Sequence, residues 1–164
     1  MARMSVLSLY AISIVLIGLN AGFFYTWSFT IMQSLGQIDA QHAIQAMQSI
    51  NANIRTGWFA AIFFGAPFSL FVTGVLMLRS NRSAAVCALL AFVLAATTVI
   101  ITFSLHVLMN NELATVESSA AAQSVWSDYS ERWTNWNHAR TITSILAFAV
   151  GLVGWSKLQT KRLN

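Results

Sequence analysis

The sequence predicts an all-α membrane protein: a four-helix transmembrane bundle with helical connections at its outer, extracytoplasmic end. Three observations predict it. The hydrophobic fraction is 57% and the charged fraction 9%, where soluble domains run near ~25% charged and below ~50% apolar. The stretch from Met4 to Ile38 holds no charged side chain over 35 residues, and three later apolar runs are free of charge across their cores. The charges that remain sort by side, as they do in proteins whose orientation is set by basic loops.

The four spans are expected at about residues 6–35, 58–78, 84–109 and 141–157, in a single membrane domain over 1–164. A chain of this length has no room for a soluble enzyme beside an anchor. About 20 residues cross a bilayer core, so the first span should tilt or project beyond it. It starts like a signal peptide, but its apolar run continues through Phe23, Phe24, Tyr25 and Trp27 without a small-x-small site, and it reads as an uncleaved span. Arg3, Arg79, Arg82, Lys157, Lys161 and Arg162 fall on one side with no acid; Arg55, Arg132, Arg140 and all five acids fall on the other. The positive-inside rule places the first side, with both termini, in the cytoplasm of an inner membrane. The net charge of +4 is therefore a topology signal. The basic residues are too scattered for a nucleic-acid footprint.

The connections differ in length. Residues 79–83 make a short turn suited to antiparallel neighbours, whereas the two outer connections are long. The first reads as an amphipathic helix from Asp39 to Ile54, capped by Asp39, with Ala43, Ala46, Met47, Ile50 and Ile54 at helical spacing. Such a segment lies in the interface or covers the bundle as a lid. The second carries Trp126, Tyr129, Trp133, Trp136 and Arg140 at intervals of three and four, an aromatic stripe ending in a cation. Asn137 sits near that stripe and His138 on a different face. Close packing is expected at Gly18 and Gly22, extended by Thr26 and Thr30, at Ala84, Ala88, Ala91 and Ala95, and at Gly151 and Gly154. Pro67 lies mid-span, where a kink is expected. Cys87 is the one cysteine, which excludes an intrachain disulfide or a CxxC pair.

His42, His106 and His138 all map to the outer half. Three readings stay open: a metal site with Glu112 or Glu131 as further ligand, a general base at His138, or hydrogen-bonding residues at headgroup level. Thr98, Thr102, His106 and Asn110 form an i, i+4 ladder that must face the bundle interior or a cavity, because unpaired polar groups in lipid are costly. No span holds a carboxylate or a basic side chain at its core, which argues against a transmembrane proton or ion pathway. There is no phosphate-binding glycine loop and no cysteine nucleophile motif.

Four segments stand out: Gly18-Leu-Asn-Ala-Gly22 with Phe23, Phe24 and Tyr25; Ala46-Met47-Gln48-Ser49-Ile50-Asn51; Asn110-Asn111-Glu112-Leu113-Ala114; and, the most specific, Trp133-Thr134-Asn135-Trp136-Asn137-His138-Ala139-Arg140-Thr141. Together they resemble, over essentially the whole chain in order, the anthrone-oxygenase-like family of small four-span membrane proteins. The chain departs from the family pattern at Met32-Gln33, where Met-Pro is usual, and at His106-Val-Leu-Met-Asn110, where Asn-Val-Pro-Leu-Asn is frequent. Both departures remove a proline from the outer rim, and the second adds a histidine.

The resemblance implies an outward-facing pocket that binds a small aromatic or lipophilic molecule and oxygenates it. On that reading His138 takes a proton, Asn137, Arg140, Asn110 and Asn111 hold the resulting oxyanion, and Tyr25, Met47, Asn51, Trp133 and Trp136 contact the ring. An electron-rich carbanion reacts with O2 directly, so no cofactor is required. A metal ion held by His42, His106, His138 and Glu112 is the alternative. The expected partners are the lipid bilayer and the small ligand; a scaffold that holds a protein partner or a second copy is the non-catalytic alternative.

Overall fold

The computed structural model describes the backbone at residues 2–54, 57–117 and 120–163 and the side chains at 6–54, 57–117 and 120–159. The side chains of Arg3, Arg55, Lys161 and Arg162, used in the charge assignment, lie outside the described residues. Every regular element among the described residues is helical. The first span is α1 (Ala2–Thr26), a π-helical turn at Trp27–Ile31, and α2 (Met32–Leu35). The connection folds as α3 (Ala40–Ile54), followed by α4 (Trp58–Met77). The third span is α5 (Arg82–Ile101), a second π-helical turn at Thr102–His106, and α6 (Val107–Ala114); α7 (Ala122–Leu163) completes the chain.

Four of these runs are long and apolar enough to cross a membrane, at Val6–Leu35, Trp58–Met77, Arg82–Ala114 and Ala122–Gln159. The protein is a multi-pass membrane bundle. α1 packs on α4 and α7, and α5 packs on the same two, so the helices stand at the corners of a square whose diagonals make at most marginal contact. The register is antiparallel around the square. Ser13 pairs with Thr73 and Asn20 with the Ile62 carbonyl between α1 and α4; Asn81 reaches the Lys157 carbonyl and Thr98 meets Thr143 and Ser144 between α5 and α7. The two chain ends therefore share one end of the bundle, and α3 covers the other.

Helix boundaries follow local chemistry. The Asp39 carboxylate accepts from the amides of Gln41 and His42 and starts α3, as its type predicts. Asn81 caps α5 through the Ala84 amide. Gly57 enters α4 at φ +67°, in the left-handed region that favours a residue without Cβ. α4 runs as one helix through Pro67.

The aromatic stripe and the fourth span belong to one helix of 42 residues, roughly 60 Å at the α-helical rise. That is about twice a bilayer core, so one end of α7 stands clear of the lipid and builds the cap. Trp126, Tyr129, Trp133 and Arg140 are buried, and Asn137 joins them at full burial, while Trp136 is half exposed. Counting three and four residues along a helix leads from Trp133 to Asn137 as readily as to Trp136, and the packing against α1 selects the polar one.

Near the chain ends, Ala84, Ala88, Ala91 and Ala95 are all buried, as their spacing predicts. Tyr10 donates to the Gly151 carbonyl at 3.0 Å and stands edge-on to Trp155. A Cβ on Gly154 would overlap the Tyr10 hydroxyl and approach Cys87 Cβ to 2.7 Å. The Gly18–Gly22 motif divides. A Cβ on Gly18 would meet the Phe148 ring at 3.1 Å, whereas one on Gly22 would meet nothing within 4 Å. Thr26 and Thr30 are exposed alongside Gly22, so this face turns away from the bundle because α1 meets α7 on the neighbouring face. We expect Gly154→Ala to destabilise the bundle by about 1–3 kcal/mol through overpacking, and Gly22→Ala to stay within about 0.5 kcal/mol of the parent. Thermal unfolding in detergent reads both; equal shifts would refute the packing assignment.

Candidate functional site

A cavity of about 280 Å³ lies at the end of the bundle beneath α3. That is close to the lower end of the ~300–1,000 Å³ range of small-molecule sites. Its apolar lining comes from Phe23 and Trp27 of the first span, Ile54 of α3, Phe59, Ala60, Phe63 and Phe64 of α4, Phe103 and Val107 of the third span, and Trp133 of α7. Its polar lining is Asn51, Thr102, His106, Asn110 and Arg140. Mostly aromatic walls with a few convergent polar groups are the usual makeup of a small-molecule pocket.

Arg140 dominates the electrostatics. It is 5% exposed, and its guanidinium lies over the rings of Phe24, at 4.7 Å, and Trp133, at 5.0 Å. One terminal nitrogen donates to Asn137 Oδ1 at 2.7 Å and the other to Thr102 Oγ1 at 3.3 Å. Nε has no partner. All five acids of the chain are exposed, and none is paired with it. A buried cation held only by neutral oxygens and ring faces keeps a large share of its desolvation cost uncompensated. Cation–π contacts return about 0.5–2 kcal/mol each, less than an anion would.

Asn137 holds that guanidinium in place. Its amide donates to the Phe24 carbonyl at 2.9 Å and to Ser28 Oγ at 2.8 Å. Ser28 in turn meets the Thr141 hydroxyl at 2.9 Å. A π turn shifts backbone bonding locally from i+4 to i+5, and in the first one the Met32 amide bonds the Trp27 carbonyl. Phe24 stands just before the first π turn, and Asn137 takes up its carbonyl. The second π turn carries Thr102 and His106, so both breaks in helical register border the cavity.

His106 is 1% exposed, edge-on to the Trp133 ring at 4.9 Å. Its Nε2 lies 3.3 Å from the Trp133 carbonyl. A carbonyl only accepts, which assigns the ring proton to Nε2 and leaves the lone pair on Nδ1. Nδ1 is buried without a hydrogen-bond partner, and the Ile101 carbonyl is the other backbone acceptor near the ring. Asn110 ties the cap together. Its Oδ1 accepts from the Tyr129 hydroxyl at 2.8 Å and Trp133 Nε1 at 3.1 Å, and its Nδ2 donates to Asn51 Oδ1 at 3.0 Å. Asn51 Nδ2 is buried without a partner. Among the described residues, the buried side-chain atoms left without a partner thus belong to three that line the cavity: Asn51, His106 and Arg140.

The residues singled out from sequence separate into two groups. Asn51, Asn110, Trp133, Arg140 and His106 meet at the cavity, and the Thr98–Asn110 ladder faces inward along its length, to α7 and then the cavity. Asn137 stands behind Arg140, and Met47 is buried in the cap without lining the cavity. His138 lies against Phe29 with ring centroids 5.3 Å apart, and Tyr25 packs on the same Phe29. Trp136, Asn111, Glu112 and His42 are exposed, the last beside Asp39. The three histidines therefore do not converge, and among the described residues no three His, Cys, Asp or Glu side chains are placed to hold a metal ion. Trp27, Phe59, Phe63, Phe64 and Phe103 line the cavity without having stood out as site residues in the sequence. Their adjacent-aromatic pattern is visible, but nothing in a uniformly apolar span tells cavity from lipid.

Replacing Asn110 by Leu would leave the Tyr129 hydroxyl and the Trp133 indole N–H buried without acceptors. Each such loss costs about 1–3 kcal/mol. We expect Asn110→Leu to lower thermal stability accordingly and to expose the cap to amide exchange, which melting in detergent and hydrogen exchange would read.

Two comparisons with known proteins returned nothing: no curated protein and no solved structure matches the chain. The third, against family models, matches residues 56–150 to the anthrone oxygenase model. That segment carries α4, α5, the second π turn, α6 and the cavity half of α7, with His106, Asn110, Trp133, Asn137 and Arg140 inside it. The chain belongs to the anthrone oxygenase family.

Proposed function

We propose that the cavity binds a small aromatic molecule with an acidic C–H or phenol and oxygenates it with O2, an anthrone being the type substrate. The observation that supports this most is the buried guanidinium of Arg140, which lacks an acidic partner and lines an aromatic-walled cavity. A developing oxyanion supplies the missing negative charge, and a donor already fixed in a dry site stabilises it without reorganisation. Asn137 and Thr102 hold Arg140; Asn51 and Asn110 flank the ring; Phe59, Phe63 and Trp133 pack on its faces.

For an anthrone, His106 Nδ1 accepts the benzylic proton, and the carbonyl oxygen becomes an oxyanion on Arg140. The carbanion carbon forms a C–O bond with O2. The proton returns to the distal oxygen, and water leaves as the second benzylic hydrogen is lost. The balance is anthrone plus O2 to anthraquinone plus water, with all four electrons drawn from the substrate. His138, the base named from sequence, competes with His106 for this role; it stands at Phe29, whereas His106 lines the cavity. We also propose that both termini face the cytoplasm and that the cavity lies toward the opposite face, on the sorting of basic residues.

Oxygen uptake by the purified protein with anthrone, above the spontaneous rate, tests the chemistry. Arg140→Gln should lower kcat/KM by about 10²–10³, the effect of removing an oxyanion donor. His106→Gln should lower kcat by about 10²–10⁴ as expected for a lost general base, with His138→Ala close to the parent. Loss in His138→Ala alone would return the base to that residue. Uptake indistinguishable from background would leave a non-catalytic binding or scaffold role. A phosphatase fusion at the C-terminus should be inactive and one within α3 active; the reverse pattern would invert the topology.

A further inference from the structure

The α4 wall of the cavity carries no polar side chain: it is Phe59, Ala60, Phe63 and Phe64. Across the seam from it stands Phe103, on the second π turn. Phe64 and Phe103 both line the cavity, yet they are 46% and 53% exposed, so each ring has one side on the cavity and one side outside the bundle. They stack at 6.1 Å with planes 26° apart. Their surroundings on the outer surface are apolar, with Phe68 70% and Ile100 63% exposed. Both belong to runs that cross the membrane. The outer side of this ring pair therefore faces acyl chains.

The roof is built differently. Gln48 of α3 donates to the carbonyls of Leu113 and Val116 at 2.8 and 3.0 Å, and Asn51 is tied to Asn110. Opening α3 breaks these hydrogen bonds and uncovers Met47 and Ile44, which are fully buried. Opening the seam rotates two half-exposed phenyl rings, and rotamer changes of exposed side chains are fast.

We infer that the cavity is loaded from the bilayer through the seam between α4 and the second π turn, with Phe64 and Phe103 as its two sides. Its ligands are membrane-dissolved aromatics that enter acidic oxygen first, toward Arg140, with their apolar edge left between the two rings. This deepens the reading of the cavity as an oxyanion site and rests on it. It also makes Phe64 and Phe103 specificity-determining: the gap between them limits the width of the aromatic system and accepts apolar substituents on the edge remote from the acidic oxygen.

The test is stopped-flow quenching of tryptophan emission in lipid nanodiscs, since Trp27 and Trp133 line the cavity. The probes are 1-naphthol and anthrone, both of which partition into bilayers. Phe64→Ala and Phe103→Ala should speed association and dissociation together, by about fivefold or more, with Kd changing less than either rate. Gln48→Ala, which loosens the roof, should leave both rates within about twofold. Unchanged rates in the two phenylalanine variants, or acceleration in Gln48→Ala alone, would overturn lateral loading. If 1-naphthol shows the expected pattern and anthrone does not bind, the seam stands and the anthrone chemistry falls. If neither probe gives saturable quenching, both fall.

Discussion

A positive charge inside an apolar bundle has to be compensated, and much of the architecture around Arg140 meets that requirement. The guanidinium cannot reach an acid, because the five acids of this chain sit on its exposed surfaces. Its compensation comes from two ring faces, one amide oxygen and one hydroxyl. Each of those groups has to be held in turn. Asn137 is fixed by the Phe24 carbonyl and Ser28, Thr102 by its bond to the Thr98 carbonyl, and Trp133 by Asn110. The polar groups around Arg140 are thus linked from α1 to α7, with the guanidinium at their centre.

The two π turns are what let this network coexist with transmembrane helices. A regular helix keeps its carbonyls occupied, which suits lipid. A π turn shifts backbone bonding locally and rotates the residues beyond it. In the first span the Asn137 amide bonds the Phe24 carbonyl just before the turn. In the third the turn sets Thr102, His106 and Phe103 around the cavity wall, two toward polar partners and one toward the seam. Helical irregularity, the unsatisfied side-chain atoms and the cavity coincide at one end of the molecule, and the other end is a plain small-residue bundle packed on Tyr10 and Gly154.

This division explains how stability and function share so short a chain. The end near the termini is held by alanine and glycine contacts, where added volume has nowhere to go. The other end tolerates a cavity and an unpaired cation because α3, the cap portion of α7 and the Asn110 cluster brace it from outside. Stored electrostatic strain of this kind is useful where charge develops during a reaction, since the donor is already oriented and desolvated.

The membrane fold, the four spans and the amphipathic α3 could be read directly from sequence, because charge exclusion and apolar length act on each segment alone. So could the inward ladder from Thr98 to Asn110, since lipid leaves such a row no other direction, and the sharing of one helix face by Trp133 and Arg140. Three things depended on tertiary packing. The choice of Asn137 over Trp136 on the buried face rests on where α1 lies. The separation of His106 from His42 and His138 rests on how far apart three helices hold them. The cavity itself, with Phe64 and Phe103 at its edge, rests on π turns that leave no mark on hydropathy or spacing. A segment's own composition decides whether it enters the bilayer; only its neighbours decide which of its apolar faces meets lipid and which encloses a ligand.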